Sequence, residues 1–205
     1  MLLFRRCLAE LIQLAGAEAP EPSLDDCAWA GHARHRLRAV LRERLANPDW
    51  FESLMRAAIY DPDPSFCRAF VEPALAAYGR RSVQEFLIRT LRDGTDTERA
   101  GAAQAWYWSL LTADGTGSRW TAPPVAPVDD DAVRQRWIEW TELALQVFVS
   151  NDHLGVRCRI LPQLTLDVKR YRAELHPLVN EAIHIARTSK NAYLRHRVEA
   201  QIKAI

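Results

Sequence analysis

Apolar residues recur along this chain at intervals of three and four, the spacing of one helix face, and strict strand-like alternation is almost absent. Leu3, Phe4, Cys7, Leu8, Leu11, Ile12 and Leu14 predict a first helix that packs on the rest of the chain. A Pro-rich link, Ala19-Pro20-Glu21-Pro22, follows, and Ser23, Asp25 and Asp26 are residues that open helices. The segment to Ala46 then places Trp29, Ala33, Leu37, Val40, Leu41 and Leu45 on one face. Asn47-Pro48-Asp49 ends it, and a short helix runs to about Tyr60. Asp61-Pro62-Asp63-Pro64 is a turn that cannot continue a helix. Further helices are expected at about 64–79, 80–92, 95–113, 130–150, 152–166, 169–188 and 190–204. Helix 130–150 has the clearest buried stripe: Val133, Trp137, Trp140, Ala144, Val147 and Phe148. Residues 114–129, with three prolines and two glycines, read as a surface loop inserted between helices.

One signature repeats: a polar turn, a few residues, then an Arg that opens an apolar helix. It occurs from Asp61 to Leu75, Asp93 to Trp106, Asn151 to Leu164 and Ser189 to Ile202. The anchor arginines are Arg68, Arg99, Arg157 and Arg195, separated by 31, 58 and 38 residues. Without the loop at 114–129 the middle interval becomes 42, so all three suit a helix-pair repeat. Arg68 and Arg157 each begin an R-x-x-x-x-P-x-L run, ending in Pro73-Leu75 and Pro162-Leu164. A proline within a helix forces a bend, so the run predicts a common bent first helix.

These turns and helices resemble the HEAT-repeat family, including its PBS-lyase-like branch, over about residues 60 to 205. The best matches are Asp61-Pro62-Asp63-Pro64 and the stretch Asp93 to Ala103. The resemblance implies an all-α, right-handed superhelical solenoid of about ten helices. It reads as one domain over 1–205, with helical hairpins at 1–60 as a cap and repeats from 61 onward. It also implies a ladder of turn acids and arginines between neighbouring repeats, making Asp93 with Arg99 and Asn151 with Arg157 structural.

Charge and composition narrow the function. There are 27 basic and 26 acidic residues, so no bulk field draws the chain to nucleic acid or to anionic membranes. No apolar run reaches the length of a membrane helix. The first segment carries Arg5, Arg6 and Glu10 within its apolar pattern, unlike a secretory signal, so the expected compartment is the cytoplasm. Cys7, Cys27, Cys67 and Cys158 are too widely spaced for a zinc ribbon or a C-x-x-C redox pair. They read as small hydrophobes.

Candidate chemistry is sparse. His32 and His35 share a helix face but lack a third converging ligand, and no metal or cofactor is expected. No nucleophile elbow is present, and Asp114-Gly115-Thr116-Gly117-Ser118 lacks the Lys of a phosphate-binding loop. No catalytic residues are therefore assigned. Arg34, Arg38 and Arg42, at i, i+4 and i+8, put three guanidiniums on one helix face, a pattern suited to phosphate or carboxylate partners. Pairing with acids on a neighbouring helix is the structural alternative. Trp108 and the loop residue Trp120 are the aromatic candidates for stacking on a partner.

The expected role is a non-enzymatic module that holds a protein or peptide on the concave face of a solenoid. The alternative is a HEAT-like-repeat DNA-binding protein or DNA glycosylase. Those enzymes resemble this chain in size and Trp content, but no Trp here is followed at i+4 by an acid. Near-neutral charge also weighs against nucleic acid. A third reading, a lyase- or chaperone-like helper for a protein-bound cofactor, comes from the PBS-lyase-like resemblance alone. The broad apolar surface of the first helix predicts that the N-terminal end, rather than the C-terminal end, takes part in self-association as a homodimer or in partner docking.

Overall fold

The computed structural model describes residues 1–22, 25–43, 47–110 and 131–203. Among these residues the chain is all-helical, with nine α-helices and no strand. They are α1 (Leu2–Ala15), α2 (Asp26–Glu43), α3 (Phe51–Tyr60), α4 (Arg68–Asp93), α5 (Asp96–Leu110), α6 (Asp131–Ser150), α7 (Leu154–Ile160), α8 (His176–Thr188) and α9 (Ala192–Ile202). No helix among the described residues is long and apolar enough to cross a membrane.

Two compact units divide the chain. The first takes in residues 1–86 and 104–110 of the described chain. There α1 packs on α2 and α3 through Phe4, Cys7, Leu8, Leu11, Ile12 and Ala15, all buried. Leu8 and Leu11 expose nothing, and each such side chain contributes about 1.5–3 kcal/mol by leaving water. Helix α1 stops because Gly16 adopts φ 61° and ψ 29°, and the N–H groups of Gly16 and Ala17 turn back to the carbonyls of Gln13 and Ile12. The α2 stripe buries Trp29, Ala33, Leu37 and Leu41 as its periodicity requires. Phe4 meets Phe70 edge-on at 6.3 Å, and Phe51 meets both Tyr78 and Phe86 in the same way.

The second unit takes in residues 87–103 and 131–203 of the described chain. Helix α6 packs on α7 and α8, and α9 packs on α8 and α7. Its core holds Leu91, Trp140, Phe148, Ile160, Val179 and Val198.

One expected helix boundary is met and two expected helices are corrected. The expected helices 64–79 and 80–92 correspond to α4, Arg68–Asp93, which is two helical segments meeting at a kink where Gly79 takes φ 79° and ψ 157°, the first starting four residues later than expected. That conformation is open to glycine, and the break falls where the pattern places a boundary. The expected helix 152–166 gives out at Ile160 and passes into a 3₁₀ turn, Leu161–Gln163, that contains Pro162. Pro73 instead lies inside α4, so the two R-x-x-x-x-P-x-L runs adopt different forms. The expected helix 169–188 begins only at His176, after 3₁₀ turns at Val168–Arg170 and Ala173–Leu175. Pro177 suits this late start, because its missing N–H would have no partner in a first turn. On α8, Val179, Ala182 and Ala186 are buried, while Leu178 and Ile185 are half-buried.

Candidate functional site

The turn at 61–67, between α3 and α4, gathers two of the candidate binding residues. Asp61 and Asp63 build it from within. Each carboxylate accepts the backbone N–H two residues on, from Asp63 at 2.9 Å and from Ser65 at 2.8 Å. Such Asx turns stabilise a chain reversal locally. The reversal carries the Phe66 ring outward, where it is 53% exposed.

Arg34 reaches this turn from α2. Its Nε donates to Asp61 Oδ2 at 3.0 Å and its Nη2 to Asp61 Oδ1 at 2.5 Å, a two-pronged pair. The Arg34 side chain is 14% exposed and that of Asp61 is 0% exposed. The guanidinium lies 4.7 Å from the Phe4 ring and 5.0 Å from the Phe66 ring. Burial pushes the Asp61 carboxyl above its ordinary range, against the lowering effects of the Arg34 hydrogen bond, the Asp63 N–H and the Arg34 charge. The Asp61 carbonyl also accepts from Gln104 Nε2 at 3.3 Å.

Trp108 reaches the same turn from α5. Its indole Nε1 donates to the Pro64 carbonyl at 2.8 Å. The Arg68 guanidinium stands 5.3 Å from the Trp108 ring and donates to Glu72 at 2.5 Å, and Tyr107 meets the indole edge-on. Phe66 and Arg68 are exposed and Trp108 is partly so. They form a shelf of aromatic and guanidinium groups on a braced turn.

The expected Arg stripe does not act as one cationic face. Arg34 is committed to Asp61, while Arg38 is exposed. The side chain of Arg42, and Trp120 with its loop, lie outside the described residues. On the same helix Arg36 pairs with Glu18, and Asp26 takes Arg5 at 2.5 Å. Among the described residues, no three His, Cys, Asp or Glu side chains gather as a metal site would require.

Three of the four anchor arginines share a different job, whereas Arg68 pairs with Glu72 on its own helix. Arg99 donates to the carbonyls of Leu91 at 3.2 Å and Arg92 at 2.9 Å, at the end of α4. Arg157 donates to Phe148, in the last turn of α6, at 3.2 Å. Arg195 donates to Ser189, just past α8, at 2.6 Å. The last carbonyls of a helix lack internal partners and carry partial negative charge, so a guanidinium one turn into the next helix latches the two together. Asn151 Nδ2 donates to Asp96 Oδ1 at 2.6 Å, linking two turns that are far apart in sequence. Asp96 also lies 3.9 Å from Arg99, and Asp93 is exposed.

Three residues of the site escape the sequence reading. Phe66 carries no pattern beyond the turn, Arg68 reads only as a repeat anchor, and Asp61 reads only as a turn former. One signal was present for Asp61. Arg34 borders the stripe of Ala30, Ala33, Leu37 and Leu41, so its guanidinium is half-buried and needs a counter-charge. No protein-family model, curated protein or solved structure matches this chain.

Proposed function

We propose that this chain is a HEAT-like helical-repeat protein that works as a non-enzymatic docking module. The repeat reading is supported by the recurring latch of Arg99, Arg157 and Arg195 onto helix ends and by the Asn151–Asp96 link. The docking reading rests on one observation: the turn 61–67 displays Phe66 while buried and partly buried groups hold it from both sides. An exposed ring on a fixed backbone loses little entropy on binding, and Phe, Trp and Arg are the side chains that most often anchor interfaces. The partner is a protein or peptide that offers an apolar pocket to Phe66 and a carboxylate that takes the place of Glu72 in its solvent-exposed pair with Arg68. Nucleic acid fits less well, because Arg34, the first arginine of the stripe, is committed to Asp61 in a buried pair and is not offered to phosphates.

The test is peptide display on the full chain. Ligands are to be selected on the unmodified protein and then measured against Phe66→Ser and Arg68→Ala. The reading expects about tenfold or greater loss for each, because central anchors dominate such interfaces. Selected ligands that ignore both changes, or salt-sensitive sub-micromolar capture of duplex DNA, overturn it.

A further inference from the structure

Among the described residues, the large apolar side chains that the fold leaves exposed are concentrated on α1 and the residue that caps it. Met1, Leu2, Leu3 and Leu14 all face outward, and Leu2 is 81% exposed. The opposite side of the helix is fully engaged with α2 and α3. At 100° per residue, Leu3, Arg6, Glu10 and Leu14 lie within about 80° of one another around the helix axis. All four are exposed. Glu10 also accepts a 3.3 Å hydrogen bond from Ser53 of α3, which holds the carboxylate along this row.

The order of the row, Leu-Arg-Glu-Leu, is complementary to its own reverse. If two copies of α1 cross antiparallel about a twofold axis near residues 8 and 9, Leu3 of each faces Leu14 of the other. Arg6 of each then faces Glu10 of the other. Both apolar ends and both ion pairs are satisfied at once, and a single surface supplies both sides. A membrane surface would instead favour a uniformly basic rim around the apolar residues, and Glu10 interrupts it.

We infer that the outer face of α1 docks against a second copy of this chain in an antiparallel, isologous helix pair. Fourteen residues of helix span about 21 Å, so the pair buries less than the roughly 800 Å² per partner of a tight complex. The dimer is therefore weak, with a dissociation constant of about 10–100 µM.

Sedimentation equilibrium of the full chain from ~1 to ~500 µM brackets that range. A monomer–dimer equilibrium is expected. Arg6→Glu alone and Glu10→Arg alone each place like charges together twice across the axis, so each weakens the dimer by about tenfold or more. The double change Arg6→Glu with Glu10→Arg restores both pairs and returns the constant to near its starting value. Leu3→Ser with Leu14→Ser, both exposed positions, abolishes the dimer while circular dichroism stays unchanged. A chain that is monomeric throughout, a dimer indifferent to the single reversals, or a double reversal as weak as the singles overturns the inference.

Discussion

Replacing Arg34 with Met would leave the Asp61 carboxylate in a site where its side chain has no exposed surface. Met keeps most of the apolar stem packed beside Phe4 and Phe66, so the change isolates the charge. Two unit charges about 4 Å apart attract by about 4 kcal/mol at an effective dielectric constant near 20. Removing one member of a buried pair typically costs about 3–5 kcal/mol, because the other stays desolvated. Asp61→Asn removes the acceptor charge and strands a guanidinium that is 14% exposed and flanked by two rings, a smaller cost of about 1.5–3 kcal/mol. The double variant Arg34→Met with Asp61→Asn contains no buried charge at this point, so it should be less destabilised than the two single costs together by about 2 kcal/mol. The pH dependence has a definite sign. Asp61 already sits above its ordinary pKa through burial, and Arg34 is the chief opposing influence. Without Arg34 the carboxyl rises further, so the neutral acid is the form that folds easily. The Arg34→Met penalty is then largest above neutrality and shrinks as the pH falls toward the raised pKa. Urea unfolding at pH 5 and pH 8, read by tryptophan emission, measures all of this. Strict additivity in the double variant, or an Arg34→Met cost equal at both pH values, would refute the reasoning.

Arg157→Ala and Arg99→Ala should each cost about 1.5–3 kcal/mol, the usual range for hydrogen bonds from a charged group, and lower the melting temperature. Unchanged stability in either would remove the latch. Gly79→Ala forces a β-carbon onto φ 79° and ψ 157° and should destabilise by about 1–3 kcal/mol in thermal unfolding, although no atom lies within 4 Å of the new carbon. Thr95 and Glu98 cap the start of α5 reciprocally, with Thr95 N–H donating to Glu98 at 2.8 Å and Glu98 N–H to Thr95 Oγ1 at 3.4 Å. Thr95→Ala should therefore cost about 1 kcal/mol in chemical denaturation.

Helix positions were legible because each helix carries its own apolar period, whatever its neighbours do. The break at Gly79 was legible for a local reason too, since residues 64–79 and 80–92 read as separate helices. The stretch 168–175 was not. Val168, Tyr171 and Leu175 sit at spacings that fit a helix, yet the chain meets them in 3₁₀ turns, with Tyr171 Oη bonded to the Thr165 carbonyl. Periodicity alone does not separate these forms over so few residues. Of the site, Arg34 and Trp108 were legible as candidates by residue type and spacing. Their meeting at 61–67 was not, because it depends on how α2 and α5 are placed around one turn, and nothing local to either residue encodes that. Asp93 was named with Arg99, whereas the acid 3.9 Å from Arg99 is Asp96, an offset of less than one helical turn that sequence spacing does not resolve.

The arginine latches have a consequence for how such a chain tolerates change. In each, one half is a side chain and the other is a main-chain carbonyl, of Leu91 and Arg92, of Phe148 or of Ser189. A carbonyl is present whatever residue occupies the position. Mutations at the receiving end therefore leave the hydrogen bond intact so long as the helix ends in the same place. Only the arginine must be inherited, and a copied segment can be joined to an unrelated helix end without a matching partner. An architecture assembled from such one-sided bonds can lose nearly all similarity between its units while keeping the joints that hold them.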